Sequence, residues 1–465
     1  MTLHRPFRYS LLSILTMATL GCSSTSDVDY SAKATSSLTA GNAVLLSQLA
    51  TTAEQNDIAT EATYITDLVN IPQLDQLLDR AFINNPSLQQ NILALKIAYE
   101  QKNITASDGL PTVNADFSGT ATEGSDESYS ANLTVAWELD LWQRVADSSS
   151  AAVKDVASSA ASLQGARDLL AANIMRSWLD ISLKQQLLDI ENQRLSVLTN
   201  NENLILERYR SGLDNLSDLD SAKSSSASTS ATVADYTEKL ANSRRSLELQ
   251  LGQLSQSEQY LIDIEAHFPQ VIYPLDLLPE QNLERRPDLR AAFYNIEAES
   301  LRTDAAYKAM LPSISLSATL ADVAESPSEA LFSSSVWSLL GKLSAPLFQG
   351  GKLRSQAEVA QLKTEQSFWS YQETLLTAVN EVENAAGQEY ALARQQQHVT
   401  EALESAKRSF VTYEEKYRQG LVDIFDLLTA QQKTFDLESQ LSQITYNRLS
   451  NRIDLGLALG LGVSQ

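Results

Sequence analysis

The chain has 465 residues, a formal net charge of -23, 43% hydrophobic residues, 16 glycines, 11 prolines and one cysteine. Such an acidic chain argues against a nucleic-acid phosphate backbone as partner, a single thiol allows no intrachain disulfide, and beyond the leader no segment is apolar for long enough to be a membrane helix. Sparse Gly and Pro favour long uninterrupted helices over a loop-rich fold.

Residues 1–21 read as a lipoprotein signal peptide. His4, Arg5 and Arg8 make a basic start, Leu11 to Leu20 a short apolar core, and Gly21-Cys22-Ser23-Ser24 follows. A lone Cys directly after such a core resembles a bacterial lipobox, whose thiol is acylated and becomes the new N-terminus. Cys22 is therefore the expected lipidation site, with Thr19 standing where that motif usually has Leu. By resemblance to other lipoproteins, Ser23 after the Cys, rather than Asp, implies sorting to the outer membrane. Residues 22–70, rich in Ser, Thr, Ala and Asp with weak periodicity, read as a lipidated extended tether with one short helix.

Residues 71–252 form a first long unit. Gln73 to Ser107 carries apolar residues at helical spacing, Leu74, Leu77, Leu78, Ala81 and later Leu93 and Ile97, interrupted at Asn84-Asn85-Pro86. At Thr112 the period drops to two: Val113, Ala115 and Phe117 alternate with Asn114, Asp116 and Ser118. After Glu123-Gly124-Ser125-Asp126, a second run alternates Tyr129, Ala131, Leu133, Val135 and Trp137 with polar residues. These strands, about 112–140, are apolar on one face and polar on the other. The spacing fits both a hairpin covering a soluble core and a pair of outer-membrane strands with Trp137 and Trp142 near one end. Val145 to Arg210 has no Pro and one internal Gly, Gly165; as one helix it is about 99 Å long, a length suited to a coiled coil or helical barrel. A break follows at Gly212 in a tip of about 210–218, and Asn215 to Leu251 returns as helix. Residues 253–279, with Pro269, Pro274 and Pro279, read as a connector.

Residues 280–465 repeat the unit. Asn85-Pro86-Ser87-Leu88 recurs as Arg286-Pro287-Asp288-Leu289, 201 residues later; RYRSGL ending at Leu213 recurs as KYRQGL ending at Leu421, 208 later; Leu251-Gly252 recurs as Leu459-Gly460. The second copy gives a helix from Pro279 to Ala309, strands about 313–347 with the last over Phe332 to Leu347, a long helix Lys352 to Arg418, a tip of about 418–426, and a return from Asp423 to Leu459. The shared offset also assigns helix to the Ser-rich tract Ser221 to Ser226, whose counterpart AQQKTFDLESQL is strongly helical.

Four strands per chain cannot close a barrel, and an unclosed edge in lipid leaves backbone groups unpaired. The strands therefore form either a soluble sheet or a barrel shared by several chains. With a lipoprotein signal, two copies and helices of about 100 Å, the shared barrel is the better reading.

The residues resemble the TolC family of outer-membrane efflux proteins, and within it the lipidated NodT-type subgroup, over about residues 70–462. The resemblance rests on Trp137-Glu138-Leu139-Asp140-Leu141-Trp142, Pro346-Leu347-Phe348-Gln349-Gly350-Gly351, Arg285-Arg286-Pro287-Asp288-Leu289 and the paired Tyr-x-x-Gly-Leu turns. The subgroup usually has Pro and Tyr shortly after the lipid Cys; here Tyr30 is present and the Pro is not. The resemblance implies a mainly α fold with a transmembrane β-barrel portion. Three copies would give a homotrimer with a shared 12-stranded barrel and a 12-helix α-barrel across the periplasm. It implies an outer-membrane exit duct, a passive conduit for drugs or other small molecules. Its partners would be a periplasmic adaptor protein, a proton-driven inner-membrane efflux pump and outer-membrane lipid.

The resemblance also places the functional positions. Asp426 matches an aspartate that lines the closed pore, where three copies make a ring of like charge. Asp218 matches a position in links that hold the tip shut, with Tyr417 as its aromatic partner. A second pore carboxylate of the family falls at Thr429 and a basic partner at Val422, so those features are missing. Adaptor docking is expected at Arg208, Tyr209, Gly212, Leu213, Lys416, Tyr417, Gly420 and Leu421. Helix-start electrostatics alone also accounts for Asp218 and Asp426, and tight helical hairpins alone account for the two glycines.

No enzyme, metal site or cofactor is expected. The histidines left after signal removal, His267 and His398, are far apart in sequence, and no phosphate loop or nucleophile elbow is present. Met175 and Met310 are the only methionines past the signal, which gives little support to a metal conduit. The rival readings are the outer-membrane duct of a type I protein secretion system and a periplasmic coiled-coil scaffold without a pore.

Overall fold

The computed structural model describes residues 28–49, 64–124, 126–213, 215–253, 267–269, 283–332 and 335–463. The signal peptide, Cys22 and most of the 253–279 connector lie outside the described residues. Two compact units are present. One is built from Lys96–Ser159 and Ala291–Glu373 with the described residues up to Ser37; the other is built from Leu38–Leu95, Ala160–Arg290 and Thr374–Gln465.

The element order follows the duplication. After α1 (Tyr30–Leu49) come α2 (Leu74–Asn84), α3 (Pro86–Ser107), β1 (Thr112–Thr120), β2 (Ser128–Leu139), α4 (Arg144–Arg210) and α5 (Leu216–Gln250). The second copy supplies α6 (Pro287–Lys308), β3 (Ser313–Ala324), α7 (Pro327–Phe332), β4 (Val336–Ser344), α8 (Lys352–Arg418) and α9 (Ile424–Ala458). The long helices α4 and α8 have 67 residues each, and the returns α5 and α9 have 35 each. The Ser-rich tract lies inside α5, as the offset requires. No helix among the described residues is long and apolar enough to cross a membrane.

In the first unit the strands form one antiparallel sheet in the order β1-β2-β3-β4. Register sets Ala115 against Leu133, Leu133 against Leu320 and Leu320 against Trp337, so one face is apolar across all four strands. The opposite face carries Asn114, Thr134, Thr319 and Ser338. The helices of this unit are tied by Lys154 to Glu297 at 2.8 Å and by the Ser158 hydroxyl, which donates to the Ala291 carbonyl at 3.1 Å.

Two expectations need correction. The last strand begins at Val336, not Phe332, because Pro327 to Phe332 forms the short helix α7. Its start is set by Ser326, whose carbonyl accepts from the Ala330 amide at 3.1 Å and whose hydroxyl accepts from Glu329 at 3.4 Å. Pro at the first helical position suits that start. This helix packs on β2 and β3 and buries Ala330. It accounts for the shift from 201 to 208 between the copies: β2 and β4 start 208 apart, whereas α3 and α6 start 201 apart. The leader is the other correction. Rather than an extended tether with one short helix, residues 30–49 form the 20-residue helix α1. Asp29 caps it, its carboxylate accepting from the Ala32 amide at 2.9 Å. Within the first unit the Tyr30 ring lies 5.4 Å from that of Phe368; within the second, Gly41 fits against Leu375.

The second unit holds an apolar core of Leu74, Leu77, Ala81 and Leu88 with Ile174, Met175, Trp178 and Leu179 of α4, Leu247 of α5, and Leu449 and Ile453 of α9. Here both returning helices stop in the same way. The Gln253 amide donates to the Glu248 carbonyl and the Leu461 amide to that of Gly456, closing a Schellman turn at each glycine. Gly252 and Gly460 have φ of 71° and 75°. Each stop packs on the residue just ahead of the proline that opens an earlier helix of the same copy, α3 or α6: the Asn85 amide group donates to the Gln250 carbonyl at 2.8 Å, and the Arg286 guanidinium to the Ala458 carbonyl at 3.0 Å. Past the second stop, the Val463 amide donates to the Asp168 carboxylate at 3.0 Å.

A Cβ on Gly252 would lie 2.3 Å from the Asn84 carbonyl oxygen, whereas one on Gly212 meets nothing within 4 Å. Both pay the left-handed penalty of about 1–2 kcal/mol; only Gly252→Ala adds an overpacking cost of about 1–3 kcal/mol. Thermal unfolding in detergent, followed by circular dichroism, is expected to show the larger loss for Gly252→Ala, and equal losses would contradict the packing account. Burial holds the Asp168 carboxyl above its ordinary range, with the Val463 amide, Gln164 and Arg167 only partly offsetting this. Folding therefore takes up a proton, and this contribution to stability falls as pH rises through the folded value. Asp168→Asn, which keeps the acceptor, is expected to flatten that slope in unfolding measured from mildly acidic to neutral pH.

Candidate functional site

The functional positions expected from the sequence cluster at two helix turns in the second unit. At the first, α4 ends in a Schellman turn: the Leu213 amide donates to the Arg208 carbonyl at 2.9 Å and the Gly212 amide to that of Tyr209 at 3.0 Å. At the second, the Leu421 amide donates to Lys416 and the Gly420 amide to Tyr417, both at 2.9 Å. Gly212 and Gly420 have φ of 73° and 72°, the left-handed conformation this motif demands of its terminal residue. The two turns thus share one backbone design.

The returning helices also start alike. The Asn215 side chain accepts from the Asp218 amide at 3.0 Å, and the Asp423 carboxylate accepts from the Asp426 amide at 2.9 Å. Asp218 and Asp426 stand in the first helical turn, where the helix dipole favours a negative charge. Asn215 and Asp423 are thus the N-caps of the two returning helices. Their signal is simple: a short polar side chain immediately before an apolar helical run.

Around these turns the chemistry differs. Under the first, Ile205, Leu219 and Ala222 make a small buried cluster. On the second, the Lys416 ammonium sits 5.6 Å from the centre of the Tyr413 ring, and Arg418 pairs with Glu414. Leu213 and Leu421 are the most exposed apolar residues of the two turns, at 69% and 68%, and with exposed Tyr209 they offer an apolar surface. Asp426 is exposed; Asp218 and Tyr417 are half-buried. Among the described residues no hydrogen bond joins Tyr417 to Asp218. Thr429, where a second carboxylate was expected to be missing, turns its hydroxyl back to the Phe425 carbonyl at 2.8 Å.

The sheet is the other candidate surface. On its apolar face Phe117, Leu133, Leu320, Trp337, Leu339 and Leu343 are all exposed. Two indoles fasten one end of it: the Trp137 ring N–H donates to the Gly109 carbonyl at 3.0 Å, and that of Trp142 to the Pro312 carbonyl at 2.6 Å. Arg144 pairs with Glu138 at 3.0 Å beside them.

A sequence profile of outer membrane efflux proteins matches residues 77–253 and 278–461. Over 403 residues the chain is 26% identical to the probable outer membrane lipoprotein SilC of Salmonella typhimurium, covering 84% of this chain and 86% of that protein. It is 26% identical over 431 residues to the solvent efflux pump outer membrane protein SrpC of Pseudomonas putida, covering 88% and 90%. The solved outer-membrane channel OprN superposes with a TM-score of 0.79 at 23% identity, over 89% of this chain and 95% of that one.

Removing either cap, by Asn215→Ala or Asp423→Ala, is expected to cost about 1 kcal/mol at its helix start, or about fivefold faster amide exchange at Asp218 or Asp426 respectively. Exchange at the other turn serves as the control; unchanged exchange at the mutated turn would show that the caps carry no stability.

Proposed function

The chain belongs to the outer membrane efflux protein family, and from that premise we propose that it is the exit duct of a tripartite efflux system, working as a lipid-anchored homotrimer. One observation supports the trimer above others: an open four-stranded sheet with an exposed apolar face and two unpaired edges. In lipid such a sheet is stable only when closed, because unpaired backbone groups there cost several kcal/mol each. Three copies, joining β1 of one to β4 of the next, make a barrel with about 12 strands, within the range of outer-membrane barrels.

In this reading the polar sheet face lines a water-filled lumen and the apolar face meets lipid. The paired helical hairpins extend into the periplasm. Their turns, with exposed Tyr209, Leu213 and Leu421, meet a periplasmic adaptor, which joins the duct to a proton-driven inner-membrane pump. The duct is passive, so cargo selection among drugs and other small molecules falls to the pump. Asp426 of three copies forms a ring of like charge at the narrow end, where the summed field raises the local concentration of cations. Acylation of Cys22 adds an anchor beside the barrel; a single chain of that kind gives only reversible membrane binding, so the barrel carries most of the attachment.

Deleting the gene is expected to sensitise cells to dyes, detergents and antibiotics while leaving exoprotein secretion unchanged; the reverse pattern would identify a protein-secretion duct. In planar bilayers Asp426→Ala is expected to lower cation preference by roughly a few fold, and unchanged selectivity would remove Asp426 from the pore. Labelled palmitate is expected to enter the wild-type chain and not Cys22→Ala.

A further inference from the structure

The chain leaves the sheet for a long helix twice, and the two exits are chemically opposite. The first runs from Glu138 to Ala146 and the second, 208 residues on, from Pro346 to Arg354. Both lie at the end of the sheet where Ser313 pairs with Ser344 and the Trp142 indole meets the Pro312 carbonyl. At the first exit the charged side chains are engaged within the chain. Glu138 pairs with Arg144 at 3.0 Å, and the Asp140 carboxylate accepts from the Ala146 amide at 2.8 Å. At the second exit those partners are gone. Pro346 stands in place of Glu138, Phe348 in place of Asp140, Lys352 in place of Arg144 and Arg354 in place of Ala146. Two acids and one base give the first exit a formal charge of minus one; two bases and no acid give the second plus two. No acidic residue lies between Glu329 and Glu358, in a chain whose net charge is -23.

The second exit is also the uncovered one. Its turn is set by the Lys352 amide, which donates to the Gln349 carbonyl at 3.1 Å, and by Gly350 and Gly351 with φ of 60° and 87°. A Cβ on either glycine would meet nothing within 4 Å. The turn carries Leu347 and Phe348, 95% and 89% exposed, beyond Leu339 and Leu343 of the exposed apolar sheet face. Lys352 and Arg354 are exposed in the first turn of α8, and among the described residues neither is in an ion pair. Side chains lean toward the N-terminus of their helix, here back toward the sheet. Arg144 shows that reach, because from the matching place in α4 it meets Glu138 on β2. Lys352 stands before a strand end that has no carboxylate to receive it.

We propose that this second exit is a phospholipid site at the membrane interface: Leu347 and Phe348 insert among acyl chains at the periplasmic edge of the bilayer, while Lys352 and Arg354 bind the phosphates of anionic headgroups. The inference rests on the outer-membrane duct proposed above and assigns a headgroup contact to one turn per chain. The charge pattern selects the occupant. Two large exposed apolar side chains, followed in the next turn by two cations without acidic partners, match a surface where acyl chains meet negative phosphates. The first exit cannot serve in this way, because Glu138 and Asp140 are spent on Arg144 and the Ala146 amide and leave no free cation. The duplicated scaffold thus carries one exit closed on itself and one open to lipid.

Nitroxide labels test this on the full chain in bilayers of phosphatidylethanolamine and phosphatidylglycerol, with the unsubstituted chain as the labelling blank. At Phe348→Cys the label is expected to collide several-fold more often with dissolved oxygen, which enters lipid, than with a water-soluble nickel chelate. Dominant collision with the chelate would place the turn in water, and protection from both would place it against another protein chain; either result overturns the proposal. Leu339→Cys, on the apolar sheet face, is the control for the duct. If its label also meets the chelate, the sheet is not in lipid and the duct reading fails; if it meets oxygen while the label at 348 does not, only the interface site fails. Native mass spectrometry with equal phosphatidylglycerol and phosphatidylcholine added reads the headgroups. The wild type is expected to retain more phosphatidylglycerol, Lys352→Gln with Arg354→Gln to lower that preference by about fivefold or more, and Arg144→Gln to leave it unchanged. An unchanged preference in the double variant, or an equal loss in Arg144→Gln, overturns the assignment of the phosphates.

Discussion

The second unit depends on how its returning helices stop. Gly252 and Gly460 end α5 and α9 in the left-handed conformation, and each is pressed against backbone: the Asn84 carbonyl in one case, the Arg285–Arg286 peptide in the other. No side chain fits there, and none would adopt the conformation cheaply. The residue ahead of the proline that opens the copy's earlier helix, Asn85 or Arg286, bonds a last carbonyl of the stopped helix. That single arrangement fixes where the return helix ends relative to where α3 or α6 begins, and it occurs once in each copy. The contacts along the long helices are spaced by helical geometry from there.

The copies achieve the same scaffold with different chemistry. Asn85 does with a neutral amide what Arg286 does with a guanidinium, and only the latter needs Asp288 and Glu381 to balance its buried charge. The contrast is sharper in the hairpins. In the first copy Ile181 and Leu240 belong to the apolar core. Their counterparts are Glu389, which is 1% exposed, and Arg448, joined by Arg452 on the same carboxylate oxygen. Burial pushes the Arg452 guanidinium down, Glu389 opposes that, and Arg448 adds to it. A buried carboxylate shared by two guanidinium groups is a poor source of stability compared with Ile and Leu of similar volume.

Much of this was legible in the residues. The period change at Thr112 located the sheet, and the shared offset of 208 made a helix of a Ser-rich tract that composition alone reads as a linker. The turns were legible because Gly in a repeated Tyr-x-x-Gly-Leu context has a mechanical meaning. What was missed has tertiary causes. The leader helix α1 has too few apolar positions to announce itself; its Ala34 and Leu45 are buried, and its Gly41 fits against Leu375, far along the chain. Phe332 was read into a strand because one aromatic beside an alternating run outweighed the local Ser326-Pro327 start signal. The expected tip residues fall at the two Gly turns, and among the described residues no hydrogen bond joins Tyr417 to Asp218.

The matched helix lengths also say where this chain can tolerate a change of length. Each added residue in a long helix advances everything beyond it by about 1.5 Å and turns it by about 100°. One insertion in α4 would misalign its contacts with both α5 and α9, such as Ser177 with Gln250 and Arg194 with Asp436, and no single compensating insertion restores two neighbours. Helices of 67 and 35 residues are thus gauges held to each other, and drift in length is confined to segments outside them. The two copies have in fact drifted by seven residues, and the whole difference lies in the hairpin that holds α7, between one strand and the next.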